Sequence, residues 1–508
     1  MKRSMIKGAA WVSVGRIGLA ALSFVSTIIL ARLLTPEDFG LVALASAAAM
    51  IVATLTELPL SQAIIQHDNP EDDHLHTIWT FGLIKGVAMF AVIAAAAYPL
   101  AWAYGDDRLT GLLLVLACSA ALGSFQNPAI ALFERDLVFW QNVVLDLLDK
   151  LMGLIVSVAV AVIYQSYWAL VLGVLASAAT RLMLSYIVKP YRPKIRVNKA
   201  RELLSFSVWL TLGSWVQALN WRADPLVIGA FVAPGPLGLY TMAGRLSKMS
   251  VTQALSPISR VLFPALSRMK QDRERLRRAY LRVQAITCTI AFPMAAGLAV
   301  LAEPIVKLVL SEKWLPAVPL VQGIVLISAL RAIHHASPLA LATGRTKALF
   351  HRDTYALMVR APLLFGGILI GQATAIGVLM GAVAGRFLAT AAMALWNMTL
   401  VREIANLPLR MQFWNAFRPF AASILMIGSL WLVLQNISPI SQDLEGYLSL
   451  AGLIALGAVI YVVALFVLWF VQGRKEGPET EALAGLRQAW HYGRAIIARR
   501  PMLWPSNR

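Results

Sequence analysis

Charge is what this sequence has least of. Of its 508 residues only 14% are Asp, Glu, Lys or Arg, against about a quarter in an ordinary soluble domain. So little charge cannot cover the surface of several water-facing domains, which excludes a soluble enzyme and a disordered regulator alike. Acids are the scarcer sign, 26 Asp and Glu against 45 Lys and Arg, a net charge of +19. Cysteine is nearly absent: Cys118 and Cys288 both fall in apolar segments, so a disulfide scaffold is excluded and each is expected to pack as a small hydrophobe. No G-x-x-x-x-G-K-[ST] phosphate loop occurs, which rules out ATP hydrolysis by that route.

What the chain has instead is apolar length: 59% of residues are hydrophobic and mean hydropathy is +0.69. A membrane-crossing helix needs about 20 apolar residues. Windows bounded by charge or by Pro and Gly give fourteen candidates, near 9–32, 40–66, 77–104, 110–133, 139–163, 167–188, 205–231, 238–266, 279–310, 316–343, 349–371, 375–399, 419–435 and 447–472. These runs are too long for barrel strands. The expected fold is therefore all-α: a polytopic membrane protein of about fourteen transmembrane helices. MKRSMIK leads straight into a run of full spanning length, so the first span is expected to stay rather than be cleaved as a signal peptide.

Alternate connections differ sharply in charge. Segments 1–8, 67–76, 134–138, 189–204, 267–282, 344–352, 400–418 and the tail from 473 hold thirty Lys and Arg, whereas the opposite set holds only Arg108 and Lys313. Cytoplasmic loops retain basic residues, which places both termini in the cytoplasm. Topology and anionic headgroups account for KPYRPKIRVNKAR (189–201) and RMKQDRERLRR (268–278), so membrane lipids are the expected partners and no nucleic acid is needed. In the tail, LAGLRQAWHYGRAIIARR suits a basic amphipathic helix on the membrane surface. The loop HDNPEDDHLH (67–76) departs from the pattern, with no Lys or Arg. Its His and Asp spacing fits no metal template, and a solvated connector is the reading; no metal site or cofactor is expected.

A shift of 198 residues aligns the chain with itself. Trp11, Gly15 and Ala20 fall on Trp209, Gly213 and Ala218; Pro36, Gly40 and Leu41 fall on Pro234, Gly238 and Leu239; Ala45, Thr54, Pro59 and Ser61 fall on Ala243, Thr252, Pro257 and Ser259. The matches include turn prolines and glycines as well as an intrahelical proline. Both copies begin on the cytoplasmic side, so the repeat is parallel, and repeated halves around a central cavity are a transporter plan. The expected organisation is an N-lobe of spans 1–6 (1–188), a basic cytoplasmic linker (189–204), a C-lobe of spans 7–12 (205–399), two added spans (400–472) and a basic tail (473–508).

Ionisable residues inside spans are costly and by default functional. Depth-matching within hairpins pairs Arg16 with Glu57 in the first lobe, and Asp224 with Arg245 and Arg222 with Lys248 in the second. Ser214, Gln217, Asn220 and Asp224 follow helical spacing, answered by Arg245, Lys248, Thr252, Ser256 and Ser259, steps that share one face. Such a stripe should line a cavity whose net positive charge suits a phosphate or pyrophosphate. Asp224–Arg245 and Arg16–Glu57 read equally as structural ion pairs. Arg331, His334 and His335 form a second cluster, read as proton relay or as satisfied interior histidines. Lys85, Arg181, Arg282, Arg360 and Arg386 are expected near span ends, snorkelling outward. No nucleophile–base set can be placed.

The segments WVSVGRIGLAALSFVSTIILARLLTPEDFGLVALA (11–45), RADPLVIGAFVAPGPLGLYTMAGRL (222–246) and ALATGRTKAL (340–349) resemble the polysaccharide transporter family. These are Wzx-type flippases of the multidrug/oligosaccharidyl-lipid/polysaccharide exporter superfamily, and the similarity covers most of 1–470. The resemblance implies a two-lobed bundle, similar to multidrug exporters in fold, in the bacterial inner membrane. It implies no enzyme, but a flippase that moves a polyprenyl-diphosphate-linked oligosaccharide across the membrane for exopolysaccharide or lipopolysaccharide synthesis by alternating access. Polysaccharide polymerase and export proteins are the partners it implies. Arg16 and Arg222 match its cavity arginines, and Asp224 an acidic, ion-coupling position. Arg245, Lys248 and Arg331 join the expected substrate site, and Glu57 the expected coupling site. The alternatives are a cation-coupled multidrug exporter of the same fold, a polymerase or ligase of polysaccharide assembly, and a lipid II flippase for peptidoglycan.

Overall fold

Thr35-Pro36-Glu37-Asp38 starts a helix on local chemistry alone. The Thr35 hydroxyl accepts from the Asp38 backbone N–H, the Asp38 carboxylate accepts from that of Thr35, and Pro36 supplies the first helical residue. This capping box closes otherwise orphaned donors. In a computed structural model, residues 2–56, 71–136, 138, 140–198, 215–216, 219–220, 222–437, 442–473 and 480 are described. The principal helices are α1 (Lys2–Leu33), α2 (Pro36–Leu55), α3 (Asp72–Tyr104), α4 (Arg108–Ser124), α5 (Trp140–Tyr164), α6 (Trp168–Val188), α7 (Asp224–Gly229), α8 (Pro234–Ser247) and α9 (Gln253–Arg268). They continue with α10 (Arg273–Val300), α11 (Val318–Arg331), α12 (Ala336–Ala342), α13 (Thr346–Ala373), α14 (Val378–Ala405), α15 (Leu409–Asn436) and α16 (Leu444–Val471).

No strand occurs among the described residues, as the sequence requires of an all-α membrane protein. Among these residues eleven helical segments are long and apolar enough to cross a membrane. Three expected spans fall short of that standard. The span at 110–133 is the 17-residue α4, followed by a 3-10 turn at Pro128–Ile130. Most of 205–231 lies outside the described residues, and 238–266 is divided by a π-helical turn, Lys248–Thr252, between α8 and α9. The count of fourteen thus remains a sequence expectation.

The chain packs as two compact units. One comprises residues 1–253, 301–327 and 347–393; the other 254–300, 328–346 and 394–508. Within the first, α3 pairs with α4, α5 with α6 and with α1, and α2 with α8. The α2–α8 contact joins the duplicated motifs to each other. A Cβ on Gly40 would lie 1.7 Å from the Pro234 carbonyl oxygen, and one on Gly238 would lie 1.8 Å from that of Pro36. Matching residues of the two copies therefore meet reciprocally, and only glycine permits the approach.

The same unit explains the acidic loop. Asp73 takes Arg196 of the basic linker as its partner, the Arg196 backbone N–H donates to Thr80, and Tyr191 lies 2.6 Å from His76 Nδ1. Burial pushes the Tyr191 hydroxyl up to about 12. The acids of that loop receive the linker's charge, and a basic loop there would repel it.

In the second unit α15 packs between α10 and α16. Here the chain leaves helical form between α11 and α12, inside an otherwise spanning segment. Irregular backbone at membrane depth must be satisfied by protein. Gln284, fully buried on α10, donates to the carbonyls of Ile333 (2.6 Å) and Gln412 (3.2 Å). The His335 backbone N–H donates to the Tyr280 hydroxyl, and its ring nitrogen Nε2 lies 2.9 Å from the Thr287 hydroxyl. Cys288 is buried and free; Cys118 is free and exposed.

Candidate functional site

Asp224 opens α7 ahead of Pro225, and its carboxylate is buried. Its partner is not Arg245. Arg360 Nη2 of α13 lies 2.6 Å from Asp224 Oδ2, and Arg386 Nε of α14 lies 3.2 Å from the same oxygen. Arg360 also donates to the Asn220 carbonyl, and Asn220 Nδ2 donates to the Asp353 carbonyl at 2.8 Å. Arg386 donates to the buried Tyr240 hydroxyl and lies over the Tyr240 ring, its Cζ 5.6 Å from the centroid. Both arginines were expected to snorkel; instead they reach inward, their side chains 13% and 14% exposed. Burying a guanidinium without a carboxylate is far costlier than bending away from lipid.

Arg181 departs from the snorkelling expectation in the same way. On α6, it bridges Asp146 and Asp149 of α5, the latter at 3.0 Å, and donates to Gln126 at 3.3 Å. Hairpin depth-matching could not reveal these clusters. Arg360 stands 136 residues from Asp224, and the acids at 146 and 149 attract attention only once α6 is laid against α5.

Arg245 on α8 is exposed beside an aromatic wall, with its Cζ 5.9 Å from the Phe39 ring centroid. Phe39 meets Trp314 edge-on at 5.3 Å, and Trp314 donates to the Ala31 carbonyl, fixing that wall. Lys248, one turn beyond Arg245, is also exposed, as is Arg16 on α1; Arg222 is half-buried. Lys150 of α5, absent from the sequence-based site, is exposed and within electrostatic reach of Arg245. These five residues lie in the first unit and Arg331 in the second. Glu57, Ser214 and Gln217 lie outside the described residues, as do the side chains of Thr252, Ser256 and Ser259. Exposed cationic donors on membrane-spanning helices can hold a phosphate-type anion.

Beyond the spans, the turn between α3 and α4 is pinned by charge. Arg108 lies 2.7 Å from Asp106 and 2.8 Å from Glu37 of α2. The bond from Arg108 holds the Asp106 carboxyl below the usual carboxylate range.

Long apolar helices, inward-turned ionised groups and a duplicated motif meeting itself define a multi-pass membrane protein built on an internal repeat. Its fold is similar to that of the lipid II flippase MurJ in an inward closed conformation, with a TM-score of 0.72 at 14% identity over 91% of this chain and 99% of that one. An inward-facing multidrug exporter of the MATE family is similar at a TM-score of 0.62 and 16% identity over 78% and 99%. The chain belongs to the family described as polysaccharide biosynthesis protein, which matches residues 29–319, more than half its length. Among curated relatives, the succinoglycan biosynthesis transport protein ExoT of Rhizobium meliloti is 24% identical over 92% of this chain and 93% of its own. The lipopolysaccharide biosynthesis protein WzxC of Escherichia coli is 27% identical over 75% and 78%. The Wzx resemblance and its exporter-like fold are thereby established; among these proteins ExoT is named a transport protein, MurJ a flippase and the MATE protein a transporter.

Proposed function

We propose that the protein is a flippase for polyprenyl-diphosphate-linked oligosaccharide, working by alternating access in a bacterial inner membrane with both termini cytoplasmic. The observation that carries this reading is the set of exposed cations on helices of the bundle, Arg16, Arg245 and Lys248, on a fold shared with a lipid flippase. A cationic cavity holds a diphosphate while the polyprenyl tail stays in lipid, whereas a cationic drug would be repelled. Arg222, in the same unit, is assigned to the same substrate path. The lobes 1–188 and 205–399 are the units proposed to alternate, with polysaccharide polymerase and export proteins as partners.

Asp224 enters this reading first as the counter-ion of Arg360 and Arg386, because a coupling cation would have to displace two guanidinium groups. Coupling through Asp224 or Glu57 is tested by the dependence of transport on an imposed proton or sodium gradient in Asp224→Asn and Glu57→Gln. Unchanged dependence leaves either residue structural.

The test of function is transport by purified protein in liposomes. A polyprenyl-diphosphate oligosaccharide is supplied to one leaflet and its arrival on the other is read with an impermeant probe. Arrival that needs the protein and falls in Arg245→Gln and Lys248→Gln is the expected result. Folded protein that moves none of several glycans, with a gradient present, overturns it; export of a cationic dye would then favour the drug-exporter reading, and chain growth a polymerase.

A further inference from the structure

The linker does not run straight out into water after α6. That helix ends at Val188, where Asn127 Nδ2 donates to the Lys189 carbonyl at 2.6 Å and the Lys189 ammonium lies 5.1 Å from the Phe133 ring centroid. Tyr191 then meets His76 of α3 and packs against the cluster of Leu75, Ile78 and Ala129. Further along, the Arg196 backbone N–H donates to Thr80 Oγ1 at 3.0 Å. From His76 to Thr80 is one turn of α3, about 6 Å, and it leads toward the middle of the membrane. The linker therefore steps out beyond α6 and comes back.

Two markers give the depth of its return. From Thr80 to Tyr104, the far end of α3, is about 36 Å of helix, against about 30 Å for the hydrocarbon core, so Thr80 falls at the boundary with the headgroups. Beside it, Trp79 Nε1 donates to the Tyr186 hydroxyl at 2.8 Å, and that hydroxyl donates to the Phe125 carbonyl at 3.0 Å. Paired aromatics with polar tips suit a membrane interface. At this level Ile195 is 74% exposed and Val197 54%. Arg196 between them turns the other way, as alternate side chains of a non-helical chain do, and its guanidinium reaches back to Asp73 in the first turn of α3. The charge is drawn toward water while the apolar neighbours stay behind, the behaviour of a snorkelling arginine. Met183 and Ile187, on the last two turns of α6, are exposed as well, so the bundle is apolar on its surface near this depth.

We propose that residues 192–197 form a strap lying in the membrane interface, with Ile195 and Val197 among the upper acyl chains and Arg192 and Lys194 on the phosphates of anionic lipid headgroups. Charge names the lipid: the described linker, 189–198, carries Lys189, Arg192, Lys194 and Arg196 and no acid, and Arg192 and Lys194 are exposed. Basic residues next to a spanning helix are attracted by anionic lipid, and exposed Ile and Val lose contact with water only if hydrocarbon covers them. In the orientation proposed above the leaflet is the cytoplasmic one, but the contact depends on neither orientation nor cargo. Because the linker joins the two repeats, the strap fixes its start to the leaflet beside α3.

The experiment measures depth. Ile195→Cys, Val197→Cys and Arg275→Cys, each in the full chain with the exposed Cys118 replaced by Ser, are labelled with the fluorophore NBD and reconstituted in phosphatidylcholine nanodiscs with and without phosphatidylglycerol. Arg275, whose side chain is exposed on the first turn of α10, is the water-facing reference, and gel filtration shows folding. A lipid-borne spin label should quench positions 195 and 197 at least about threefold more than 275, and aqueous iodide should do the reverse. Removing phosphatidylglycerol, or adding Arg192→Gln with Lys194→Gln, should lower lipid quenching at 195 toward the reference. Iodide quenching at 195 and 197 equal to that at 275 overturns the strap, because the two side chains would then face water. Shielding from both quenchers also overturns it, since a protein surface would cover them. Lipid quenching that ignores both phosphatidylglycerol and the paired Gln substitutions overturns the headgroup contact.

Discussion

Replacing Asp224 with Asn tests whether the inward-turned arginines are held by charge. The carboxylate is 9% exposed, with guanidinium groups 2.6 and 3.2 Å from one of its oxygens. Asn keeps the volume and one carbonyl acceptor but removes the charge. Two charge-assisted bonds, each worth about 1.5–3 kcal/mol, become ordinary ones, and two buried cations are left side by side. Removing one partner of a buried ion pair costs about 3–5 kcal/mol, a large share of the roughly 5–15 kcal/mol that holds a typical folded domain. Arg386→Gln should cost less, because Asp224 and Arg360 remain as a balanced pair. Combining the two substitutions should recover part of the loss of Asp224→Asn, since the repulsion goes with the second cation. The assay is the denaturant midpoint in detergent, read alongside the monodisperse fraction after heating. Asp224→Asn as stable as wild type, or a double variant less stable than the two losses added, would refute the reasoning.

At the seam between the repeats, Gly40→Ala and Gly238→Ala each drive a methyl into a carbonyl oxygen of the other copy. Each should lower stability by at least the about 1–3 kcal/mol of overpacking, by similar amounts, as read from melting in detergent. Gln284→Leu strips the donors from the carbonyls of Ile333 and Gln412 and should cost about 1–3 kcal/mol for each buried acceptor orphaned, measured by the same melt. For Asp106, whose folded carboxyl is held low by Arg108, the contribution is present above the unfolded value near about 4 and is lost as pH falls through the lower folded value. Arg108→Gln should therefore flatten the loss of stability on acidification, and an unchanged acid profile would count against the pinned turn. Asp73→Asn frees Arg196 and should speed tryptic cleavage within 189–198 in inside-out vesicles; an unchanged rate would mean the linker is held by Tyr191 and Thr80 alone.

How far the fold was legible depended on the range of the interaction. Helices were legible because apolar length and capping are local: Thr35 and Asp38 are three residues apart, and they set the start of α2 wherever it packs. The repeat was legible because Pro36, Gly40, Pro234 and Gly238 recur at a fixed shift. Charge pairing was not, because within a membrane an ionised side chain takes whatever partner the tertiary structure brings. Asp224 had an arginine at the right depth in its own hairpin and still took two from α13 and α14. Sequence neighbours compete poorly when burial makes every unpaired charge expensive. Most cationic residues were visible individually, but that Arg360 and Arg386 turn inward to Asp224 could be read only from the tertiary structure.

The tertiary structure also bears on how the repeats work together. The copies meet where Gly40 and Gly238 admit each other's proline carbonyls, at the turns that follow spans 1 and 7. Arg245 lies eleven residues into α8 from Pro234, about 16 Å along the helix. The backbones meet closely at one end of α8, with Arg245 well along the helix from that contact. If basic loops mark the cytoplasmic side, that contact faces outward. Under the proposed alternating access the glycine contact would have to part, and a backbone contact without side-chain interlock is suited to parting and re-forming. Large side chains there would hold the copies apart permanently, so the small residue serves both closure and release.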